Sequence, residues 1–113
     1  MLYDILINSM VQGKKILTDE ELDTLAKKFK VLSEPSRLRI LRCLTDGERC
    51  VNDIICTTGL LQANVSKQLK ILHDSGILDA RAQGLQRFYF VKDFAVVKIC
   101  HVLCEVDEKK TKK

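Results

Sequence analysis

The sequence predicts a mainly α-helical domain that carries one β-hairpin. Over residues 18 to 74 the apolar residues recur every three or four positions, which is the period of a helix that packs one face on a core. After Gly76 apolar and polar residues alternate in "ILDARAQ" and "RFYFV", on either side of Gly84, as expected for two strands of a hairpin. With 113 residues the chain has room for one domain with a modest core.

The first two predicted helices have recognisable starts. Thr18 stands three residues before Glu21, which is the spacing of a capping box, and Leu22, Leu25, Phe29 and Leu32 follow on one face. In the second helix Pro35 stands in the first turn, where its missing N–H is not needed. The leucines of that helix form one stripe, and the helix stops before Gly47: Leu38, Leu41 and Leu44.

A helix-turn-helix follows. The short segment "VNDIICTT" ends at Gly59, and a longer helix begins after Leu61, an unusual N-cap because Ser or Thr there is about 1 kcal/mol better. In this longer helix Val65, Leu69 and Leu72 share one face, so the opposite face is exposed. Two helices joined by a tight turn and followed by a hairpin make a winged helix-turn-helix.

The exposed face of the longer helix suits the major groove of DNA, which admits an α-helix whose Gln, Asn, Ser and Lys side chains meet base edges and phosphates. Hairpin side chains, including Gln83, would reach the backbone or the minor groove. The candidate DNA-contacting residues are Gln62, Ala63, Asn64, Ser66, Lys67, Lys70, Arg81, Gln86 and Arg87. Two plainer interpretations stay open, a merely solvated helix face and a winged helix that binds only proteins.

Charge favours the DNA interpretation locally. The formal net charge is +4, and the lysines of the basic tail, residues 109 to 113, account for all of it. Within the remaining neutral body, residues 62 to 92 carry five basic and two acidic side chains, a net of +3. A basic segment that coincides with the predicted helix and hairpin indicates phosphate contacts.

The last predicted helix, "DFAVVKICHVLCEVDEK", is apolar around most of its circumference. Its polar residues Lys98, His101 and Glu105 form one narrow stripe, on which His101 is expected to be solvated. A chain this short cannot cover such a helix alone, so we expect a homodimer. A two-fold dimer would present two DNA-binding helices about one DNA turn apart and so prefer an inverted repeat.

Taken together, "LSEPSRLRILRCL", "GERCVNDI", "TGLLQANVSKQLKILHDSGIL" and "QRFYFV" resemble the ArsR/SmtB family of bacterial metal- and thiol-responsive repressors, over residues 18 to 108. The resemblance implies a dimer joined by the first and last helices. It also implies that the ligand-free or reduced form binds an operator and that an inducer weakens the binding. The family's base- and phosphate-contacting positions fall on Gln62, Ala63, Ser66 and Lys67.

The family places inducer sites at several positions, two of which are incomplete here. The zinc-type site on the last helix would keep only Asp93, because Ala95, Val106 and Lys109 occupy the other ligand positions. The arsenite- and cadmium-type motif appears as "ERCVNDI", which keeps Cys50 but has Asn52 in place of the second thiol. A lone thiolate is a poor site for a soft ion, so no confident metal site is predicted.

The remaining candidate sensor thiols are Cys43 on the second helix and Cys100 with Cys104 on the last. Persulfide-responsive family members bridge one cysteine from each of these helices with sulfur, and this is the favoured interpretation. Others bind arsenite through cysteines of the last helix, where Cys100 and Cys104 are i, i+4 neighbours. The third possibility is that these cysteines only pack, as is expected of Cys56 in the core.

Other features bound the function. No Cys-x-x-Cys pair and no Cys, His and carboxylate constellation is apparent, so we expect no enzyme and no obligatory cofactor. An odd number of cysteines, five, and the absence of a long apolar run or a basic leader predict a cytoplasmic protein with free thiols and no membrane partner. We expect residues 1 to 17 to form an extra helix or arm, residues 18 to 108 the winged domain, and residues 109 to 113 a basic tail.

Overall fold

The computed structural model describes the backbone of residues 16 to 111 and the side chains of residues 16 to 105. The expected N-terminal extension and basic tail therefore lie almost entirely outside the described residues. Five helices and three strands make up the described part: α1 Asp19–Leu32, α2 Pro35–Leu44, β1 Arg49–Cys50, α3 Val51–Thr58, α4 Gln62–Asp74, β2 Leu78–Gln83, β3 Gln86–Val91 and α5 Phe94–Thr111. The five helices and the hairpin confirm the sequence predictions.

The helix ends follow from local chemistry. Thr18 and Glu21 form the predicted capping box at α1, with distances of 3.0 and 3.1 Å between side-chain oxygens and backbone nitrogens. At α2 the carboxylate of Glu34 accepts a hydrogen bond from the backbone N–H of Ser36, at 2.7 Å, and Pro35 takes the first helical position. Gly59 ends α3 at a φ of +73°, a left-handed conformation that favours glycine.

The core lies where α2, α3 and α4 meet the beginning of the hairpin. Its members are almost completely buried and come from every one of these elements: Ile40, Leu44, Ile54, Val65, Leu69, Leu72, Ile77 and Leu78. The predicted face of α4 is therefore the face that packs inward. Since Cys56 follows Ile54 by two positions, about 200° around α3, it points outward; it is exposed, and its expected place in the core is wrong.

The wing is a three-stranded antiparallel sheet in the order β1-β3-β2. Strands β2 and β3 pair from Leu78 opposite Val91 to Gln83 opposite Gln86, and a two-residue turn through Gly84 connects them. Strand β1 pairs with β3 through only two residues, too few for a sequence period to reveal. None of the helices in the described part of the chain is sufficiently long and apolar to cross a membrane.

Apolar side chains remain uncovered on α1 and α5. Phe29 of α1 is 48% exposed and Leu103 of α5 is 60% exposed, although each belongs to an apolar helix face. Helix α1 contributes no fully buried residue at all. Among residues 16 to 105, the first and last helices thus keep large apolar side chains that are only partly covered.

Candidate nucleic-acid interface and thiol groove

The outer face of α4 presents three polar side chains and one alanine to solvent. Gln62, Ala63, Ser66 and Lys67 are exposed, whereas Val65 lies on the opposite side of the helix and is completely buried. The N-cap is Leu61, as predicted, and its side chain caps none of the first-turn N–H groups. The four exposed residues, Gln62, Ala63, Ser66 and Lys67, are the ones that the family resemblance assigned to DNA contact.

Asn64 is placed differently from the sequence expectation. Its side chain is half-buried and faces α2, where the amide nitrogen donates to the Ser36 hydroxyl at 3.3 Å. Its amide oxygen accepts a hydrogen bond from Gln68 at 2.9 Å. The structure therefore brings Asn64 into a protein network and not onto the outer face with Gln62 and Lys67. The sequence analysis did not identify Gln68 as part of this network. The one indication in the sequence is that this polar residue stands directly beside the core residue Leu69.

Lys70 lies one turn after Ser66 and remains exposed. Its ammonium group pairs with the Asp74 carboxylate at 3.2 Å. Because both side chains are mostly in solvent, this pair contributes little stability and can be exchanged for a phosphate contact.

Arg81 is held within the wing. Its guanidinium donates to the Glu48 carboxylate, with Nε at 2.9 Å from Oε1, and to the Gln83 side chain at 2.7 Å. It also stacks 4.8 Å from the centre of the Phe88 ring. The hydrogen bond from Arg81 lowers the pKa of Glu48, so the carboxylate stays charged and compensates the arginine.

Gln86 and Arg87 lie at the exposed end of β3, next to the hairpin turn. The Arg87 guanidinium sits 5.6 Å from the centre of the Tyr89 ring, and no carboxylate pairs with it among the described residues. Of the two wing arginines, Arg87 is therefore the one whose charge is available to a phosphate.

A groove of about 660 Å³ separates α2 from α5 and holds two of the candidate sensor thiols. Cys100 and Cys104 line it together with apolar side chains, namely Leu38, Leu41, Val97 and Leu103. Burial, and to a smaller extent the neighbouring Cys104, raises the pKa of the Cys100 thiol. The two thiols predicted to be neighbours thus face one cavity.

Cys43 does not join them. It is only 8% exposed and lines a separate cleft of about 220 Å³ that faces α3, together with Arg42 and Arg49. Burial raises the pKa of the Cys43 thiol, and Arg49 partly opposes that rise. Cys43 therefore does not line the groove that holds Cys100 and Cys104, and its pairing with a thiol of the last helix stays a prediction.

Asp93, the remnant of the zinc-type site, has a structural role. One of its carboxylate oxygens accepts a hydrogen bond from the Lys28 ammonium at 3.0 Å, which ties α1 to the start of α5. The other accepts one from the backbone N–H of Ala95 at 3.2 Å. Among the described residues no group of three His, Cys, Asp or Glu side chains is arranged to hold a metal ion.

Comparison with known proteins agrees with this architecture. Residues 34–80 match the family described as bacterial regulatory protein, arsR family. An uncharacterised HTH-type transcriptional regulator of Methanocaldococcus jannaschii is 35% identical over 88 residues, which are 77% of this chain and 99% of that protein.

Two solved structures extend the comparison. The AntR antimony-specific transcriptional repressor has 31% identity and a TM-score of 0.78, over 91% of this chain and 95% of that one. The homodimeric winged helix-turn-helix DNA-binding domain of a possible ArsR-family regulator from Mycobacterium bovis has 30% identity and a TM-score of 0.72, over 86% and 94%. These relatives are transcriptional regulators and not enzymes, and the chain belongs to the ArsR family of winged helix-turn-helix transcriptional regulators.

Proposed function

We propose that this DNA-binding repressor acts as a homodimer on an inverted-repeat operator and is released by a ligand of the Cys100 and Cys104 thiols. The observation that supports DNA binding is the division of α4 into two faces. Gln62, Ser66 and Lys67 are exposed on the outer face, and Val65 and Leu69 are buried on the inner face. The uncovered apolar residues of α1 and α5 supply the surface for a second copy.

The proposed inducer is a trivalent arsenic or antimony species. Two thiols one helical turn apart can each replace a hydroxide on As(OH)₃, which forms two As–S bonds and releases two water molecules. Soft ions of this kind prefer sulfur ligands, and the AntR repressor, which this chain resembles, is antimony-specific. Reactive sulfur, favoured by the sequence, loses support because Cys43 lies in a different cleft from Cys100.

The position of the groove suggests how a ligand lowers operator affinity. The groove separates α5, a proposed dimer helix, from α2, which packs on the recognition helix α4. A ligand that fits the groove better in one arrangement of these helices than in another shifts the protein toward that arrangement. Operator and inducer then oppose each other by the same coupling free energy.

The test begins with the fully reduced protein and a duplex that it selects from a random-sequence pool. Aliquots are treated with arsenite, antimonite or an organic persulfide, and are then examined by intact mass, peptide mapping and fluorescence anisotropy on that duplex. We expect one metalloid atom per chain, mapped to Cys100 and Cys104, together with release from DNA. Cys100→Ser and Cys104→Ser abolish both effects, and Cys56→Ser, which removes an exposed thiol elsewhere, changes neither.

Other outcomes contradict specific parts of the proposal. Sulfur retained between Cys43 and the last helix would restore the reactive-sulfur interpretation. If no reagent modifies Cys100 or Cys104, these cysteines are packing groups and the inducer proposal is wrong. If the protein selects no duplex, it is a protein-interaction module and the operator proposal is wrong.

A further inference from the structure

A chain of hydrogen bonds connects the recognition helix to α2 through two buried and two half-buried side chains. Gln68, on the inner side of α4, is only 5% exposed. Its amide oxygen accepts a hydrogen bond from Arg37 Nη1 at 2.8 Å, and its amide nitrogen donates to Asn64 at 2.9 Å. Asn64 in turn donates to the Ser36 hydroxyl at 3.3 Å, which brings the chain back to α2. We call these four residues the polar clasp.

The polar clasp also reaches α1. The Nε of Arg37 donates to the backbone carbonyl of Val31, in the last turn of α1. Glu34 fixes the base of the clasp, because its carboxylate accepts hydrogen bonds from the backbone N–H groups of Ser36 and Arg37 at 2.7 and 3.3 Å. One arginine thus joins the end of a proposed dimer helix to the middle of the recognition helix.

Such a network constrains helix position more strictly than leucine packing does. Hydrophobic side chains can repack with small shifts at little cost, whereas a buried amide that loses its partner is left with an unmet hydrogen bond. All buried side-chain nitrogen and oxygen atoms in the described part of the chain have a partner. A rotation or slide of α4 against α2 would break Arg37–Gln68 or Asn64–Ser36.

We propose that the polar clasp positions the recognition helix relative to the dimer helix α1, and so sets the spacing and orientation at which two copies read a DNA site. Arg37, Gln68 and Asn64 are then positioning residues. This inference rests on the proposed operator binding and deepens it. It also gives Asn64 a different role from the base contact expected from sequence.

Arg37→Gln and Arg39→Gln form the matched pair for the test. Both remove one arginine charge from α2, but Arg39 is exposed and has no hydrogen-bonding or ionic partner in the described part of the chain. The probes are the duplex that the wild type selects from a random pool and versions with one or two base pairs inserted between its half-sites. Urea unfolding and circular dichroism establish that each variant is folded.

The wild type and Arg39→Gln should bind the selected duplex tightly and lose affinity sharply when the spacer is lengthened. Arg37→Gln should bind the selected duplex about tenfold more weakly and lose much less on insertion, because its recognition helices are no longer held at one separation. Gln68→Met, which keeps the volume of the side chain, should behave in the same way and serves if Arg37→Gln does not fold.

Asn64→Ala separates positioning from base contact. Relaxed spacing with an unchanged base preference supports the clasp, and a changed preference at one base pair with unchanged spacing overturns the role of Asn64. If Arg37→Gln and Gln68→Met match the wild type on every duplex, the whole inference is wrong. A wild type that binds no duplex would instead refute the proposed function, which is a distinct result.

Discussion

Lys67 is the lysine of α4 that we expect to make an ionic contact with DNA. It lies on the outer face of α4, one position after Ser66, and no acidic side chain pairs with it among the described residues. Lys70, one turn later, is partnered by Asp74. A lysine that meets a phosphate releases counterions from the duplex, so its removal changes the salt dependence of binding as well as the affinity.

We therefore expect Lys67→Ala to weaken operator binding and to reduce the slope of log affinity against log salt by about one per subunit. Anisotropy titrations between low and physiological salt measure both quantities. Lys30→Ala, which removes an exposed lysine from α1, is the control and should leave the slope unchanged. Equal slopes for Lys67→Ala and the wild type would show that this side chain touches no phosphate.

Cys100 carries a pH prediction. Burial and the adjacent Cys104 raise the pKa of its thiol, so the protonated form persists above the pH at which an ordinary cysteine ionises. Since the thiolate is the nucleophile, alkylation of Cys100 by iodoacetamide should be slower in the native protein than in urea-unfolded protein near neutral pH. The difference should narrow as the pH rises past the folded pKa.

Peptide mapping after timed alkylation from pH 6 to pH 10 follows each cysteine separately. Cys56, which is exposed on α3, provides the internal reference for reagent quality at every pH. A Cys100 that reacts in the native state as fast as in urea at neutral pH would contradict the prediction. Such a result would also indicate that the groove is open enough for the metalloid to bind without helix movement.

The two arginines of the wing differ in their partners within the protein. Arg81 and Glu48 compensate each other and fix β2 beside the loop before β1, whereas Arg87 projects near the turn without a carboxylate. Removal of Arg81 alone would leave Glu48 as an uncompensated negative charge close to DNA. The suitable control is therefore a double variant, Glu48→Ala with Arg81→Ala, which removes both charges and leaves the net charge unchanged.

We expect Arg87→Ala to weaken operator binding and to lower the salt slope by about one per subunit. The double variant of Glu48 and Arg81 should keep the wild-type slope, because it removes no net charge. The same anisotropy titrations test both proteins. If the double variant lowers the slope as much as Arg87→Ala does, Arg81 leaves Glu48 in the complex and contacts a phosphate itself.

The elements also show how far a sequence can be interpreted. Periodicity predicted the inner face of α4 correctly because it reports the direction of the core along one helix. On α2 it found the buried Leu41 and Leu44, but it included Leu38, which is exposed, and left out Ile40, which is completely buried. It misplaced Asn64 because the direction of that side chain depends on Ser36, far away in the sequence. The sequence could not predict that Cys43 and Cys100 line different clefts for a similar reason. The packing of α3 and α5 on α2 decides which cleft each thiol faces.

At the scale of the whole molecule, the exposed apolar faces of α1 and α5 bear on whether the protein is a monomer or a dimer. Phe29 and Leu103 are both large, apolar and about half exposed or more. Exposed apolar patches on helices that otherwise pack on the core typically mark an interface. A two-fold dimer would cover both faces and place two copies of α4 on the same side of a DNA duplex.

Phe29→Glu and Leu103→Glu should each shift the protein from dimer to monomer, because a carboxylate buried at the interface without a partner is strongly unfavourable. Sedimentation velocity at micromolar concentration measures the shift. Leu85→Glu is the control, since Leu85 is also apolar and fully exposed but lies at the turn of the wing.

The monomeric variants should bind the selected duplex at least about a hundredfold more weakly, because each half-site is then engaged separately. A Phe29→Glu protein that stays dimeric would place the interface elsewhere, and it would also remove the reason for the polar clasp to connect α1 with the recognition helix.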